Sequence, residues 1–296
     1  MGKHTKCLIC DSADLKHLKT YYDKHGLVKC KKCGFVFIDK IPTEEELQDC
    51  YSEYSYKEEE QLSSITMINY HKLLNEFEEY RKTNKILEVG CGRGWFLYEA
   101  RKRGWNIYGT EYSDTAVKLC EDLEIEMRKG ALNPEQFSFS DFDIIVSSEV
   151  LEHINYNPNE EINNIYKLLR PGGLFYCTTP NFNSLLRYYK KENCRIIAYP
   201  EHLSYYTKTT LNFLLRKNNF KLKKFLCTGI NFRNVKVSFL NNKPCETIMT
   251  GEDLRSRINK KVYLKIIKNI LNKILTITNT GATLKGYYVK QNQNNS

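Results

Sequence analysis

The chain has 296 residues, 41% of them hydrophobic and 27% charged, enough for one sizeable core with a small appended module. No apolar run is long enough for a membrane span, and Met1 to Thr5 lead into a cysteine pair without an apolar stretch, so no signal peptide is expected. A cytoplasmic setting is implied, in which the 11 cysteines are metal ligands or buried apolar residues before they are disulfides; the net charge of +10 fits either an anionic partner or a lysine-rich background.

In chain order, the first feature is Cys7-x-x-Cys10 and Cys30-x-x-Cys33 with 19 residues between them. That is the spacing of two knuckles closing a four-thiolate zinc site, and Gly34 permits the tight turn after the second pair. Four thiolates leave no open position for water, so Cys7, Cys10, Cys30 and Cys33 predict a structural metal. His4, His17 and His25 lie near but are not needed as ligands. Thr43 followed by Glu46 reads as a capping box opening a helix. A tyrosine-rich passage from Tyr51 to Glu60 and a helix from about Ser63 to Arg81 then connect the module to the rest of the chain.

From Asn84 onward strands and helices alternate. Strands are expected at Ile86 to Val89, Trp105 to Thr110, weakly at Ile125 to Arg128, and at Phe142 to Val146. Helices lie between them, over Phe96 to Arg103 and after the Ser113 cap. The all-apolar texture of Phe142 to Val146 is that of a strand buried on both faces. Ile162, Ile165, Leu168 and Leu169 have helical spacing, and Pro171-Gly172-Gly173 turns the chain into a strand at Leu174 to Thr178. A helix capped near Thr207 precedes a strand at Phe220 to Leu226. The tail holds an amphipathic helix with Leu264, Ile267, Leu271 and Ile274 on one face, and a strand around Thr283 to Lys290. Such alternation implies a parallel sheet with right-handed crossovers.

The strongest chemical signal is Glu88-Val89-Gly90-Cys91-Gly92-Arg93-Gly94, where the first of these strands meets a helix. Glycines there let backbone approach a ligand, and Glu111, closing the next strand, is placed to accept hydrogen bonds from ribose hydroxyls. A dinucleotide turn would need glycine at position 95, where Trp95 stands. The pattern instead resembles the first motif of class I S-adenosylmethionine-dependent methyltransferases, whose acidic residue holds the amino end of the cofactor. Ser148-Glu149-Val150-Leu151-Glu152-His153 after the fourth strand and Leu169-Arg170-Pro171-Gly172-Gly173 before the fifth are similar to that family as well.

The resemblance implies an α/β fold, with a Rossmann-like, mostly parallel sheet and an antiparallel last strand. It places the cofactor on Glu88, Gly90, Cys91, Gly92, Gly94, Glu111, Tyr112, Leu132, Ser148 and Glu149. The chain departs from many relatives at Gly130-Ala131-Leu132, which offers no acid for the adenine amine and leaves Leu132 as an apolar wall. His153 is expected to order the helix end beside the cofactor. The resulting division is a zinc ribbon at 1–50, a helical linker at 51–83, the cofactor-binding core at 84–228, and a helix and last strand completing the core at 229–296.

The cysteine pairs with Phe35-Val36-Phe37-Ile38 and Tyr51-Ser52-Glu53-Tyr54 resemble the N-terminal module of bacterial sugar and surface-polysaccharide methyltransferases. Tyr199-Pro200-Glu201-His202 is similar to the active-site segment of zinc-module sugar C-methyltransferases. That resemblance implies His202 as base, with Tyr199 and Glu201 beside it. Those enzymes carry a second large C-terminal domain, whereas here only residues 227–296 remain. The expected activity is methylation, on oxygen or carbon, of a small molecule such as a sugar or nucleotide-sugar in surface glycan synthesis. The rival is a zinc-ribbon RNA methyltransferase or binder, since residues 1–34 carry eight lysines and three aspartates, but no aromatic-basic interleaving supports nucleic acid. Arg187, Lys190, Lys191 and Arg195 are either receivers of substrate phosphates or a solvated face. Lys260, Lys261, Lys265 and Lys268 raise a membrane surface, but likeness to the family's last helix makes packing on the core the expectation.

Overall fold

The computed structural model describes residues 2–52, 62–154, 156–230 and 262–291. Tyr54, Lys260 and Lys261 lie outside these residues, as does most of the tyrosine-rich passage.

The N-terminal residues form β1 (Leu15–His17), α1 (Lys19–His25), β2 (Leu27–Cys30) and β3 (Val36–Ile38). The Thr43 capping box opens α2 (Glu44–Ser52): Thr43 Oγ1 accepts from the Glu46 N–H at 3.2 Å, and Glu46 Oε2 accepts from the Thr43 N–H at 3.0 Å. Ser63 caps α3 (Ser64–Phe77). The alternating region comes next as β4 (Lys85–Val89), α4 (Trp95–Arg101), β5 (Asn106–Glu111), α5 (Asp114–Asp122), β6 (Glu126–Lys129), β7 (Phe142–Ser148), α6 (Pro158–Leu168) and β8 (Leu169–Pro180). Beyond it lie α7 (Leu185–Lys190), β9 (Ser204–Tyr205), α8 (Lys208–Lys217), β10 (Phe220–Thr228), α9 (Val262–Thr278) and β11 (Thr283–Lys290).

Seven strands make one sheet in the order β10-β11-β8-β7-β4-β5-β6. The run from β8 to β6 is parallel, and β11 is antiparallel to both of its neighbours, as the sequence predicts. Period-two alternation divides the central strands between two cores. Ile144 and Val146 face Leu74, Phe77, Phe96 and Leu97 on the α3–α4 side. Leu87, Val89 and Ile145 face Ile162, Ile165, Leu211 and Leu214 on the α6–α8 side.

A second sheet, β1-β2-β3-β9, is antiparallel throughout. Three of its strands come from the first 38 residues and the fourth from the segment after β8. The N-terminal residues also share a core with the main sheet: Ile9, Val28, Phe35 and Phe37 sit in one cluster with Tyr206, Leu211 and Leu214.

Two expectations change. Pro171-Gly172-Gly173 is a bulge inside the longer strand β8, not a turn ahead of it. Leu169 pairs with Phe142, and pairing resumes at Leu174 with Ile144. The bulge sends Arg170 to Asp143, whose buried carboxylate also accepts the N–H groups of Lys82, Thr83 and Asn84 at 2.7–2.9 Å. On α9, the predicted face is not the packed one. Ile267, Leu271 and Ile274 are exposed, and the helix is held instead through Leu275, Asn272 and Thr276. The amphipathic pattern correctly marks a face but carries no information on which side the sheet will meet. Among the described residues no helix is long and apolar enough to cross a membrane.

Removing the Asp143 carboxylate strands three N–H donors and takes the ion-pair partner from the half-buried Arg170. Asp143→Ala should lower the unfolding free energy in urea by about 3–5 kcal/mol. A change below about 1 kcal/mol would mean that this knot is not a main support of the sheet.

Candidate active site and metal centre

The glycine turn is built for close backbone approach. Gly90, Gly92 and Gly94 have φ of 65°, 53° and 70°, the left-handed region that favours glycine. A Cβ on Gly90 would stand 2.6 Å from Val150 Cγ2, and one on Gly94 2.4 Å from Ile125 Cδ1. The turn is closed by Cys91 N–H on Thr110 O at 3.1 Å and Gly94 N–H on Cys91 O at 2.9 Å. Cys91 itself is buried against Cys120 and Met127, so its backbone alone faces outward from the turn.

Two carboxylates flank the turn. Glu88 is buried near the end of β4, its Oε2 has no partner, and burial raises its carboxyl well above the usual range. A buried acceptor without a donor is the observation that a bound cationic or amino group would satisfy. Glu111, ending β5, accepts the Gly92 N–H through Oε2 at 2.9 Å and the Tyr112 N–H through Oε1 at 2.8 Å. Tyr112 beside it is 59% exposed. Leu132 is buried after β6, its carbonyl accepting from Asn164 Nδ2 at 3.0 Å. At the end of β7, half-buried Ser148 pairs with Thr178, and Glu149 adopts a φ of 56°, uncommon for a side chain of its size. All ten predicted cofactor residues therefore sit on β4, β5 and β7 or on the loops leaving the carboxyl ends of β4 to β7, and these residues fit a nucleoside cofactor with an amino-acid tail.

The segment carrying His202 is assembled against the residues that follow β7. His202 Nδ1 bonds the Ile196 carbonyl at 2.8 Å, and His153 Nδ1 bonds the Glu201 carbonyl at 2.7 Å. A carbonyl can only accept, so each Nδ1 carries a proton, and a neutral ring in this orientation keeps its lone pair on Nε2. The two rings meet edge to face at 4.9 Å. Glu152, buried and bonded by Thr179 Oγ1 at 2.9 Å, completes a trio with them whose ligand atoms all lie within 4.8 Å of one another. Such a trio can take up protons or hold a cation.

The sequence alone does not reveal this trio. The adjacent Glu152-His153 pair is visible within its motif, but its approach to His202 is not. Glu201 meets the trio through its carbonyl. Tyr199 is turned to the N-terminal residues, its hydroxyl donating to Glu46 Oε2 at 2.8 Å, and Lys40 holds that carboxyl at about 2. Arg187 is buried, donating to the Phe182 carbonyl at 2.5 Å and to Tyr21 Oη at 3.1 Å. It therefore supports the segment rather than offering a free cation to substrate.

The four cysteines converge as the spacing predicts. Cys7 and Cys33 sulfurs lie 3.5 Å apart, as do those of Cys10 and Cys30, and all four are within 4.8 Å of one another. The edge of a tetrahedron with zinc–sulfur bonds of about 2.3 Å is roughly 3.8 Å, so the donor set suits such an ion. Each knuckle closes alike, Asp11 N–H on Cys7 O and Gly34 N–H on Cys30 O, both at 3.0 Å. Of the nearby histidines, His17 stacks on Tyr22 and His25 bonds the Glu192 carbonyl, so neither serves the cysteines.

A family model described as a methyltransferase domain matches residues 60–224, more than half of the chain. The ubiquinone biosynthesis O-methyltransferase of Maricaulis maris is 31% identical over 109 residues, covering 34% of this chain and 42% of that protein. The mitochondrial enzyme of the same name from Rattus norvegicus is 32% identical over 111 residues, 34% of this chain and 32% of its own. The chain thus spans less than half the length of these curated relatives. A SAM-dependent methyltransferase from Archaeoglobus fulgidus superposes with a TM-score of 0.51 at 18% identity, over 76% of this chain and 94% of that one. A putative sarcosine dimethylglycine methyltransferase from Galdieria sulphuraria gives 0.52 at 14%, over 80% and 92%. At such identities the structural likeness establishes the fold alone.

Burial, and secondarily the neighbouring His202, lower His153 from 6.5 to about 4. In that interval the unfolded chain binds a proton that the folded chain does not, so stability falls as pH drops through it. Replacing His153 by Asn should flatten the fall in melting temperature between pH 6.5 and 4. An unchanged slope would contradict a buried, neutral imidazole.

Proposed function

The chain belongs to the methyltransferase domain family, and on that premise we propose that it transfers a methyl group from S-adenosylmethionine to a small-molecule hydroxyl. The observation that carries this reading is the unpartnered, buried Glu88 Oε2 beneath a glycine turn too close-packed for side chains. When bound, the cofactor supplies an electrophilic methyl on a sulfonium sulfur, which departs as a neutral thioether. Glu88 receives its amino end, the Gly90–Gly94 backbone its tail, and Glu111 its ribose hydroxyls, exchanging the Gly92 and Tyr112 N–H groups for them. Tyr112 and Leu132 flank the base, and Ser148 and Glu149 border the methyl end.

His202 is the base in this reading. With Nδ1 fixed on the Ile196 carbonyl, its Nε2 takes the proton of the acceptor hydroxyl as the new bond to carbon forms. His153, kept neutral by burial, adds no positive charge to oppose that protonation. Tyr199 and Glu201 shape the segment, one through Glu46 and the other through His153.

The acceptor class we favour is a sugar or nucleotide-linked sugar, on the likeness of the cysteine module and of Tyr199 to His202 to sugar-modifying relatives. The matched relatives are named for ubiquinone biosynthesis, which favours a phenolic hydroxyl as the second reading. We assign zinc to Cys7, Cys10, Cys30 and Cys33 as a structural ion, with residues 1–50 as its ribbon, 51–83 as linker, 84–228 as cofactor core and 229–296 completing that core. A nucleic-acid acceptor is the rival, and salt-sensitive retention of RNA would favour it.

Two substitutions separate the halves of the site. Glu111→Ala should weaken S-adenosylmethionine binding in calorimetry by about tenfold or more, since it removes a charged acceptor. His202→Ala should leave that affinity near wild type and abolish methyl transfer to sugar and phenol acceptors alike. Retained turnover in His202→Ala would end its assignment as base, and unaltered affinity in Glu111→Ala would end the ribose assignment.

A further inference from the structure

Ten of the fifteen exposed large apolar side chains among the described residues lie on just two helices, α9 and α7. On α9 they are Tyr263, Ile266, Ile267, Ile270, Leu271, Ile274 and Ile277, a continuous stripe spanning roughly 140° of the helix. Ile277 is 79% exposed, and Ile266, Ile267 and Ile270 are each above half. The opposite, more polar side meets the sheet: Asn272 Oδ1 accepts the Gly229 N–H at 3.0 Å, and Thr276 Oγ1 both accepts from and donates to the Cys227 backbone. The helix is thus attached by the side that carries Leu275, Asn272 and Thr276 and presents its isoleucines outward.

The patch continues onto α7. Leu185 N–H bonds the Thr280 carbonyl at 3.1 Å, which sets the start of α7 against the end of α9. There Leu185, Tyr188 and Tyr189 are exposed, the last by 84%. Charge decides what can cover this surface. Residues 262–278 carry no acid, Lys273 borders the stripe, and Lys190 and Lys191 close α7. A second copy of the chain would set lysines against lysines with no carboxylate on either helix, whereas anionic headgroups neutralise them.

We propose that α9 and α7 together seat the protein on an anionic lipid bilayer, with the α9 isoleucines in the acyl boundary and the α7 tyrosines at headgroup level. The helix lies in the surface and does not cross it, as its length and hydropathy require. α7 belongs to the segment between β8 and β9 that also carries His202.

The test is co-sedimentation of the full chain with vesicles of phosphatidylcholine alone and of an equal mixture with phosphatidylglycerol. The mixed vesicles should bring down the wild type, and raised salt should reduce that binding. Ile267→Asp with Ile274→Asp should lower the vesicle affinity at least about tenfold. Lys190→Gln with Lys273→Gln, which leaves the apolar stripe intact, should weaken binding to mixed vesicles only. No sedimentation of wild type with mixed vesicles overturns the proposal, as does lysine-variant binding equal to wild type. A dimer in sedimentation equilibrium that the isoleucine variant dissociates, without vesicle binding, would overturn it in favour of self-association. Vesicle binding needs neither cofactor nor acceptor, so its failure leaves the methyl-transfer assignment untouched.

Discussion

Val36 and Phe37 of β3 pair with Tyr205 and Ser204 of β9, and the acceptor half of the site depends on this short antiparallel contact. The Ile38 N–H on the Leu203 carbonyl extends it by one rung at 3.0 Å. Behind the strands Leu27, Val36 and Ile38 bury against Phe182, Ile197, Leu203 and Tyr205. A two-residue strand has little stability of its own. It is held because the partner strand is fixed in turn by β2, the two cysteine knuckles and the core they share with α8. His202 is two residues before β9, so its position is set by a sheet whose other three strands precede residue 39.

The cofactor half rests on a different constraint. There the parallel strands β4 and β5 end side by side, and the turn after β4 is too tight for any Cβ at Gly90 or Gly94. Glu88 and Glu111 are fixed by strand geometry, independent of the N-terminal residues. The halves meet at Glu152 and His153, which come just after β7. Glu152 offers its backbone carbonyl to the Leu203 N–H at 2.8 Å, and His153 takes the Glu201 carbonyl. In the proposed reaction, binding and proton transfer rest on separate supports that touch at one corner, so substitutions should separate them.

The features legible in the sequence are those whose cause is local. The glycine turn, the caps at Thr43, Ser113 and Thr207, the doubly buried strand at Phe142 to Val146 and the cysteine knuckles each depend on residues within a few positions of one another. Tyr199 and Glu46 bond at a separation of 153 residues, and no periodicity or spacing announces such a contact. The same holds for β9, whose two residues are too few to show alternation. Arg170 and Arg187 show only their charge in the sequence, while their partners at Asp143 and Phe182 decide what they do. On α9 the apolar stripe is evident, yet the opposite side with Leu275 packs, since hydrogen bonds between Asn272 and Thr276 and the backbone at the end of β10 fix the helix's rotation.

On the proposed zinc assignment, the ion on the four cysteines holds the segment carrying His202 while the cofactor cradle stands on its own footing. Hydrogen exchange of the full chain, with zinc bound and after chelation, tests it directly. Chelation should sharply accelerate exchange of the Ile38, Leu203 and Tyr205 amides while those of β4 and β7 keep their protection. Equal protection of Leu203 and Tyr205 with and without metal, or loss spread evenly into β4 and β7, would contradict the account.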